Sequence, residues 1–403
     1  MTIIIISATL LLIAYLFEIT AHRVKSPSVI LMLLLGWCMQ QIIHLFHVEI
    51  PDLNVILPIF GTVGLILIVL EGALELEVTR EKTALIKKSL LAALGPMLLL
   101  MFAMGFAFYK AGHGSFQDSL ANAIPLCVIS SAIAIPSVRF LPASKKEFVV
   151  FESSLSDILG VMLFNFVALN HEISFESVEL FLAQILIILA VTVISTIGIG
   201  YLMTRIRYHI KYIPILLIII LVYALSKLIH LPGLVFVLVS GMVLGNIRQI
   251  PLKQKWKRWM HTSLLSENIT RFKEITVEFT FLVRVIFFVT FGFLIKTEEV
   301  INPDTIGWAV GIVTAIYLFR ALFLRLFQMP LLPLVYIAPR GLITILLFYL
   351  IPETSRIPIV NKSLIIQVIL LTVLVMMAGV LFSQGGKQKE PERESVEPKG
   401  FIA

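Results

Sequence analysis

Apolar residues along this chain run in unbroken blocks of about twenty, divided by short charged or proline-bearing stretches. A block of that length crosses the hydrocarbon core of a bilayer as one α-helix. The pattern predicts about thirteen spans, near 2–18, 28–46, 53–73, 89–110, 118–141, 148–170, 177–203, 212–229, 231–246, 277–295, 305–326, 330–352 and 363–383. The eighth and ninth, parted by Leu231-Pro232-Gly233, are short. A membrane β-barrel would instead show brief alternating segments. The expected fold class is therefore an all-α polytopic membrane protein. The first run, Thr2 to Phe17, has no charged leader or small-residue cleavage site, so it reads as a span rather than a removed signal.

One block departs from the pattern. Phe148 to Leu169 reads FVVFESSLSDILGVMLFNFVAL and carries Glu152 and Asp157. A charged side chain at mid-membrane costs roughly 2.5–3.5 kcal/mol on insertion scales, and an intramembrane acid reads by default as part of an ion or proton path. Glu152, Ser156 and Gly160 recur every four residues and share one helix face, with Ser153 and Asp157 beside them.

Composition agrees. Of 403 residues, 59% are hydrophobic and 14% charged, against about 45–50% and 25% in soluble domains. Cys38 and Cys127 both lie inside apolar runs, so neither a disulfide framework nor a zinc site is indicated. The net charge of +7 does not call for nucleic acid, because topology accounts for it. With the N-terminus outside, loops after odd-numbered spans and the tail hold about 24 of the 32 Lys and Arg, and the opposite loops about five. That asymmetry sets the N-terminus out and the C-terminus in. Arg284, Arg320 and Arg340 lie within spans. Arg284 does not share a face with Glu278, so a contact between helices is expected for it.

No soluble domain fits. The loop 247–276 is basic and contains Trp256 and Trp259; it reads as an inside loop or as a helix lying at the headgroups. The polar, charge- and proline-rich tail, 384–403, is expected to be disordered.

Two spans look unable to form continuous helices. The fifth contains IPLCVISSAIAIPS, with Pro125 and Pro136 around Ser130 and Ser131; the twelfth contains LPLVYIAPRGLIT, with Pro333, Pro339 and Gly341 around Arg340. Proline removes a backbone donor, and either span could merely kink. A pair of interrupted spans, one in each half, points instead to inverted repeats with an ion site at the midplane. Counting 1.5 Å per residue, Asp157 and Arg340 fall at one depth, and Glu152 and Arg320 nearer the cytoplasmic face. A hard monovalent ion takes oxygen ligands, which Asp157, Ser130, Ser131, Ser156 and freed carbonyls can supply. An arginine in contact with Asp157 would hold it ionised and block exchange, so Arg340 has to stand off.

These residues carry a resemblance. ESSLSD resembles the E-S-L-x-N-D signature of the monovalent cation:proton antiporter superfamily, of the sodium/proton exchanger type. APRGLITI and FRALFLRL resemble its two arginine motifs, and LPGLVFVLVSGMVLGN and LEGALELEV are similar to other segments. ISSAIAIP looks more like the potassium-efflux branch. The likeness covers about residues 1–383. It implies that Asp157 binds cation and proton in turn, that Glu152 and Arg320 form a structural brace, and that Arg340 offsets negative charge near two crossing broken helices. It also implies elevator-type exchange of Na⁺, or Li⁺ or K⁺, for H⁺. The moving core would be 89–170 and 305–383, and the scaffold and dimer face 1–73 and 177–295. A homodimer in the cell membrane, with lipids as its other partners, follows from the same resemblance; a bacterial inner membrane is expected from the compact chain. No cofactor is implied. Ser156 stands where the family has Asn or Asp. With one titratable carboxylate at the site, one proton per cation is the simpler stoichiometry.

The remaining titratable residues are less pointed. All eight histidines fall in loops or at span ends, which argues against a histidine proton relay. Glu71, Glu75 and Glu77 end the third span, either as solvated headgroup-level acids or as a cation funnel. No HExxH, GxGD or GxSxG arrangement lies at membrane depth, so an enzyme is not indicated. A channel, or another ion-coupled carrier on the same scaffold, is the alternative.

Overall fold

A computed structural model describes residues 2–24, 28–46, 56–112, 114–138, 141–169, 175–206, 211–247, 249 and 262–385. The basic run Lys253 to Arg258, Trp256, Trp259, His261 and the tail from 386 lie outside the described residues. Helix dominates, and the described residues contain no strand. In chain order the helices are α1 (Thr2–Val24), α2 (Ser28–Phe46), α3 (Ile56–Glu75), α4 (Thr83–Lys110) and α5 (Phe116–Cys127). They continue with α6 (Ser131–Ser137), α7 (Ala143–Leu169), α8 (Phe175–Arg205), α9 (Tyr212–Leu228) and α10 (Gly233–Gly245). The last five are α11 (Thr262–Phe293), α12 (Thr297–Val300), α13 (Pro303–Leu326), α14 (Leu342–Leu350) and α15 (Lys362–Gly385).

Among the described residues, seven stretches are long and apolar enough to cross a membrane unaided: α3, α4, α5 with α6, α8, α11, α13 and α15. A figure of thirteen adds the remaining helices that overlap predicted spans: α1, α2, α7, α9, α10 and α14. Two departures from the sequence pattern have local causes. The stretch 262–276, read as loop, is the first half of α11. Leu265, Ile269 and Phe272 fall on one face there and are buried, so an amphipathic helix carries its polar residues on the opposite face. The twelfth span keeps a helix only after its break. Before it stand turns and a single 3₁₀ turn, Leu334–Tyr336, because Pro330, Pro333 and Pro339 remove three backbone donors from ten residues.

The helices pack in two groups. In one, α4 lies against α5, α7 and α13, α6 against α7, and α13 against α15. In the other, α3 packs with α10 and α11, α11 with α2, and α10 with α8 and α9. Lipid offers apolar helices no hydrophobic incentive to associate, so close contact over small residues holds them. The contact of α2 with α11 shows the device. A Cβ on Gly36 would sit 2.1 Å from the Val289 carbonyl oxygen, and one on Gly292 2.3 Å from that of Leu33.

Candidate ion site at the crossing of two interrupted segments

The fifth span breaks at Val128–Ser130, between α5 and α6, rather than at either proline. The second break runs through 337–341, ahead of α14. The two extended pieces meet: the Ser130 amide donates to the Pro339 carbonyl at 2.9 Å. A helix that stops inside the protein leaves its last carbonyls without partners. Here Arg340 serves one of them, its Nε donating to the Leu126 carbonyl near the end of α5 at 2.8 Å. A cation at a helix C-terminus also meets the negative end of the helix dipole. The Arg340 amide is held in turn by Thr372 Oγ1 of α15 at 3.0 Å.

Against this crossing lies α7. Its approach depends on Gly160, where a Cβ would come within 2.3 Å of Val128 Cγ2. One turn earlier, Asp157 is 1% exposed. Its Oδ2 accepts from the Ser131 amide at 3.2 Å and from the Ser131 hydroxyl in a short hydrogen bond. Its Oδ1 is buried without a partner, as is Ser130 Oγ. Ser156 Oγ accepts from the Ile129 amide at 2.9 Å, satisfying a donor that the break leaves free.

The structure therefore brings Asp157, Ser130, Ser131 and Ser156 to one place. Arg340 stands at the same crossing, but its guanidinium is directed to carbonyl oxygens of Leu126 and Ala338 rather than to Asp157. Glu152 and Arg320 form a bidentate pair, Nη1 to Oε1 at 2.7 Å and Nη2 to Oε2 at 2.8 Å. Both are buried, and Arg320 Nε donates to the Leu334 carbonyl at 2.8 Å, so the pair also fixes the chain entering the second break. Arg284 reaches Glu18 of α1 at 3.4 Å, across helices. Glu75 lies 3.8 Å from Lys273, and Glu77 3.0 Å from Lys82. Thr344, whose Oγ1 is buried and unpartnered, and Thr372 were not singled out from sequence. Thr344 stands three residues after the second break, whereas Thr372 lies inside the unbroken α15.

Among the described residues, no group of three or more His, Cys, Asp or Glu could hold a metal ion. What the crossing offers is a set of neutral oxygens around one carboxylate. Such a set suits a weakly held hard monovalent cation, carried as cargo.

Two interrupted segments that meet beside one buried acid are an arrangement that secondary-transporter folds use. The chain belongs to the transmembrane sodium/hydrogen exchanger family, whose model matches residues 7–385. That is a family of transporters, not enzymes. Two solved structures of the sodium proton antiporter MjNhaP1 from Methanocaldococcus jannaschii share the fold. One, at pH 8, has 19% identity and a TM-score of 0.70, covering 95% of this chain and 99% of that one. The other, from electron microscopy, has 20% identity and a TM-score of 0.69, covering 97% and 99%. No curated protein matches the chain.

Proposed function

We propose that the protein exchanges Na⁺ for H⁺ across a cell membrane, with Asp157 releasing its proton as the cation binds. The observation that carries this reading is a buried carboxylate with one oxygen free, placed where two interrupted segments cross. Ser131 and Ser156 are neutral, so one proton leaves per cation and exchange is electroneutral. Li⁺ and K⁺ compete for the same oxygens.

The moving core consists of α4 to α7 and α13 to α15, and the scaffold of α1 to α3 and α8 to α11. A cavity of about 290 Å³ along their seam supports this division, lined by Ile158, Val161 and Ile343 from one group and Leu65, Tyr223 and Leu231 from the other. With the N-terminus outside, α7 runs outward, and this cavity lies on the outer side of Asp157. The scaffold pairs two copies into a homodimer.

The test is transport in everted vesicles with a pH-sensitive dye, with and without a membrane potential. Wild-type protein is expected to release protons on addition of Na⁺, at a rate indifferent to the potential. Asp157→Asn is expected to abolish the signal; wild-type exchange by that variant would refute the assignment. Ion flux without proton countermovement would instead favour a channel.

A further inference from the structure

Four of the buried threonines show what a hydroxyl does on a helix in this protein. Thr192, Thr276 and Thr280 donate to the carbonyls four residues back, of Ile188, Phe272 and Thr276, at 2.6, 2.8 and 2.7 Å. Thr372 donates to Ile369 at 3.0 Å. Such back-bonding is the ordinary resting place of a threonine hydroxyl inside an apolar helix. Thr196 of α8 and Thr344 are exceptions, each with a buried Oγ1 that has no partner; only Thr344, fully buried, follows an interruption.

The reason lies in the break. Four residues before Thr344 is Arg340, in the extended segment, and α14 begins only at Leu342. Thr344 therefore stands in the first turn of a helix interrupted at the crossing. Its neighbour one turn back, Gly341, is packed so tightly on the first break that a Cβ would lie 2.9 Å from Ser130 Oγ. Ser130 precedes Ser131, the residue that holds Asp157. Along this short path three buried oxygens have no partner: Asp157 Oδ1, Ser130 Oγ and Thr344 Oγ1. An unpaired buried hydroxyl forfeits its hydration without compensation and so destabilises the empty site. By contrast Ser131 Oγ and Ser156 Oγ are engaged, one toward Asp157 and the other with the Ile129 amide.

We propose that Thr344 is a direct cation ligand, contributed by the second interrupted segment and completing an oxygen set with Asp157 Oδ1 and Ser130 Oγ. The inference rests on the exchange reading above and refines it: Ser131 and Ser156 hold the site's shape, while Ser130 and Thr344 meet the ion. A threonine hydroxyl has lone pairs for a cation and no charge of its own, so it tunes affinity without altering the proton count.

The test uses the full-length purified protein, titrated with NaCl while its thermal midpoint is followed, and the same variants in proteoliposomes. Thr344→Val removes only the hydroxyl. Without Na⁺ its midpoint should equal or exceed wild type, because an unsatisfied group has been replaced by a methyl. Its half-saturating Na⁺ concentration should rise about tenfold, the scale of one lost polar contact. Thr344→Ser should stay within about twofold of wild type on the same scale. Wild-type Na⁺ response in Thr344→Val, or a fall in its Na⁺-free midpoint, would overturn the assignment. Should the valine variant not purify, Thr344→Ala against Thr344→Ser decides on the same readout. Asp157→Asn separates the two readings. If it loses the Na⁺ response while Thr344→Val keeps it, only the threonine assignment falls; if it keeps the response, the exchange reading falls and takes this one with it.

Discussion

Glu152 and Arg320 are both buried and joined by two parallel hydrogen bonds, so neither is cheap to remove alone. Truncating one partner of a buried pair costs about 3–5 kcal/mol, because the other charge is left uncompensated. Glu152→Ala and Arg320→Ala are each expected to lose most of their folded yield, scored by size-exclusion fluorescence. The double exchange, Glu152→Arg with Arg320→Glu, should recover part of it. Recovery stays partial because a glutamate at 320 cannot donate to the Leu334 carbonyl that Arg320 serves. A swapped protein no better than the single variants would show that position, not pairing, matters. At this scale much was legible: a charge inside an apolar run announces itself, and helical rise alone matched Glu152 to Arg320 in depth. The same rise matched Asp157 to Arg340 in depth, and the need for a titratable acid already required that arginine to stand off. Depth says nothing of direction, and Arg340 turns to the end of α5. Thr344 stayed hidden because hydroxyls on apolar helices ordinarily bond to their own backbone.

For the elements, the sequence marks where helices fail more clearly than how. Prolines flag both interruptions, yet Pro125 and Pro136 lie inside α5 and α6, and the break falls between them. What fixes it there is tertiary: the Ser130 amide finds the Pro339 carbonyl and the Ile129 amide finds Ser156, partners no local pattern names. The seating of α7 on this break depends on the bare backbone at Gly160. Gly160→Ala should cost about 1–3 kcal/mol, the usual penalty for overpacking, read as a lower thermal midpoint together with slowed exchange. Adding Val128→Ala, which removes the methyl that the new Cβ would strike, should restore both. If the double variant is worse than Gly160→Ala, the clash is not the cause.

For the whole molecule, the two helix groups are also tied by charge at one end of the bundle. Lys82 follows α3, and its Nζ reaches Glu77 at 3.0 Å and Glu147, in the first turns of α7, at 2.8 Å. Its hydrogen bond to Glu147, outweighing a burial that acts in the opposite direction, holds the Lys82 ammonium above its ordinary range. A lysine raised in the folded state contributes fully below its unfolded value, near 10.4, and loses that contribution only as pH climbs through the raised one. Lys82→Gln should therefore lower the thermal midpoint by the same small amount at pH 6, 7.5 and 9, a partly exposed ion pair being worth about 0–1 kcal/mol. A penalty that vanished within that window would mean that another group titrates in the cluster. The positive-inside count could assign sides to the loops, but pairing Lys82 with Glu147, 65 residues on, needed the folded chain.

The bond from the Ser130 amide to the Pro339 carbonyl has a corollary for ancestry and engineering alike. It joins stretches more than two hundred positions apart, so the seat proposed for the passenger ion is a seam between halves and belongs to neither. Cutting the gene midway would give two fragments, each with an unfinished edge. Only their reunion in one bilayer would rebuild a place for sodium to stop.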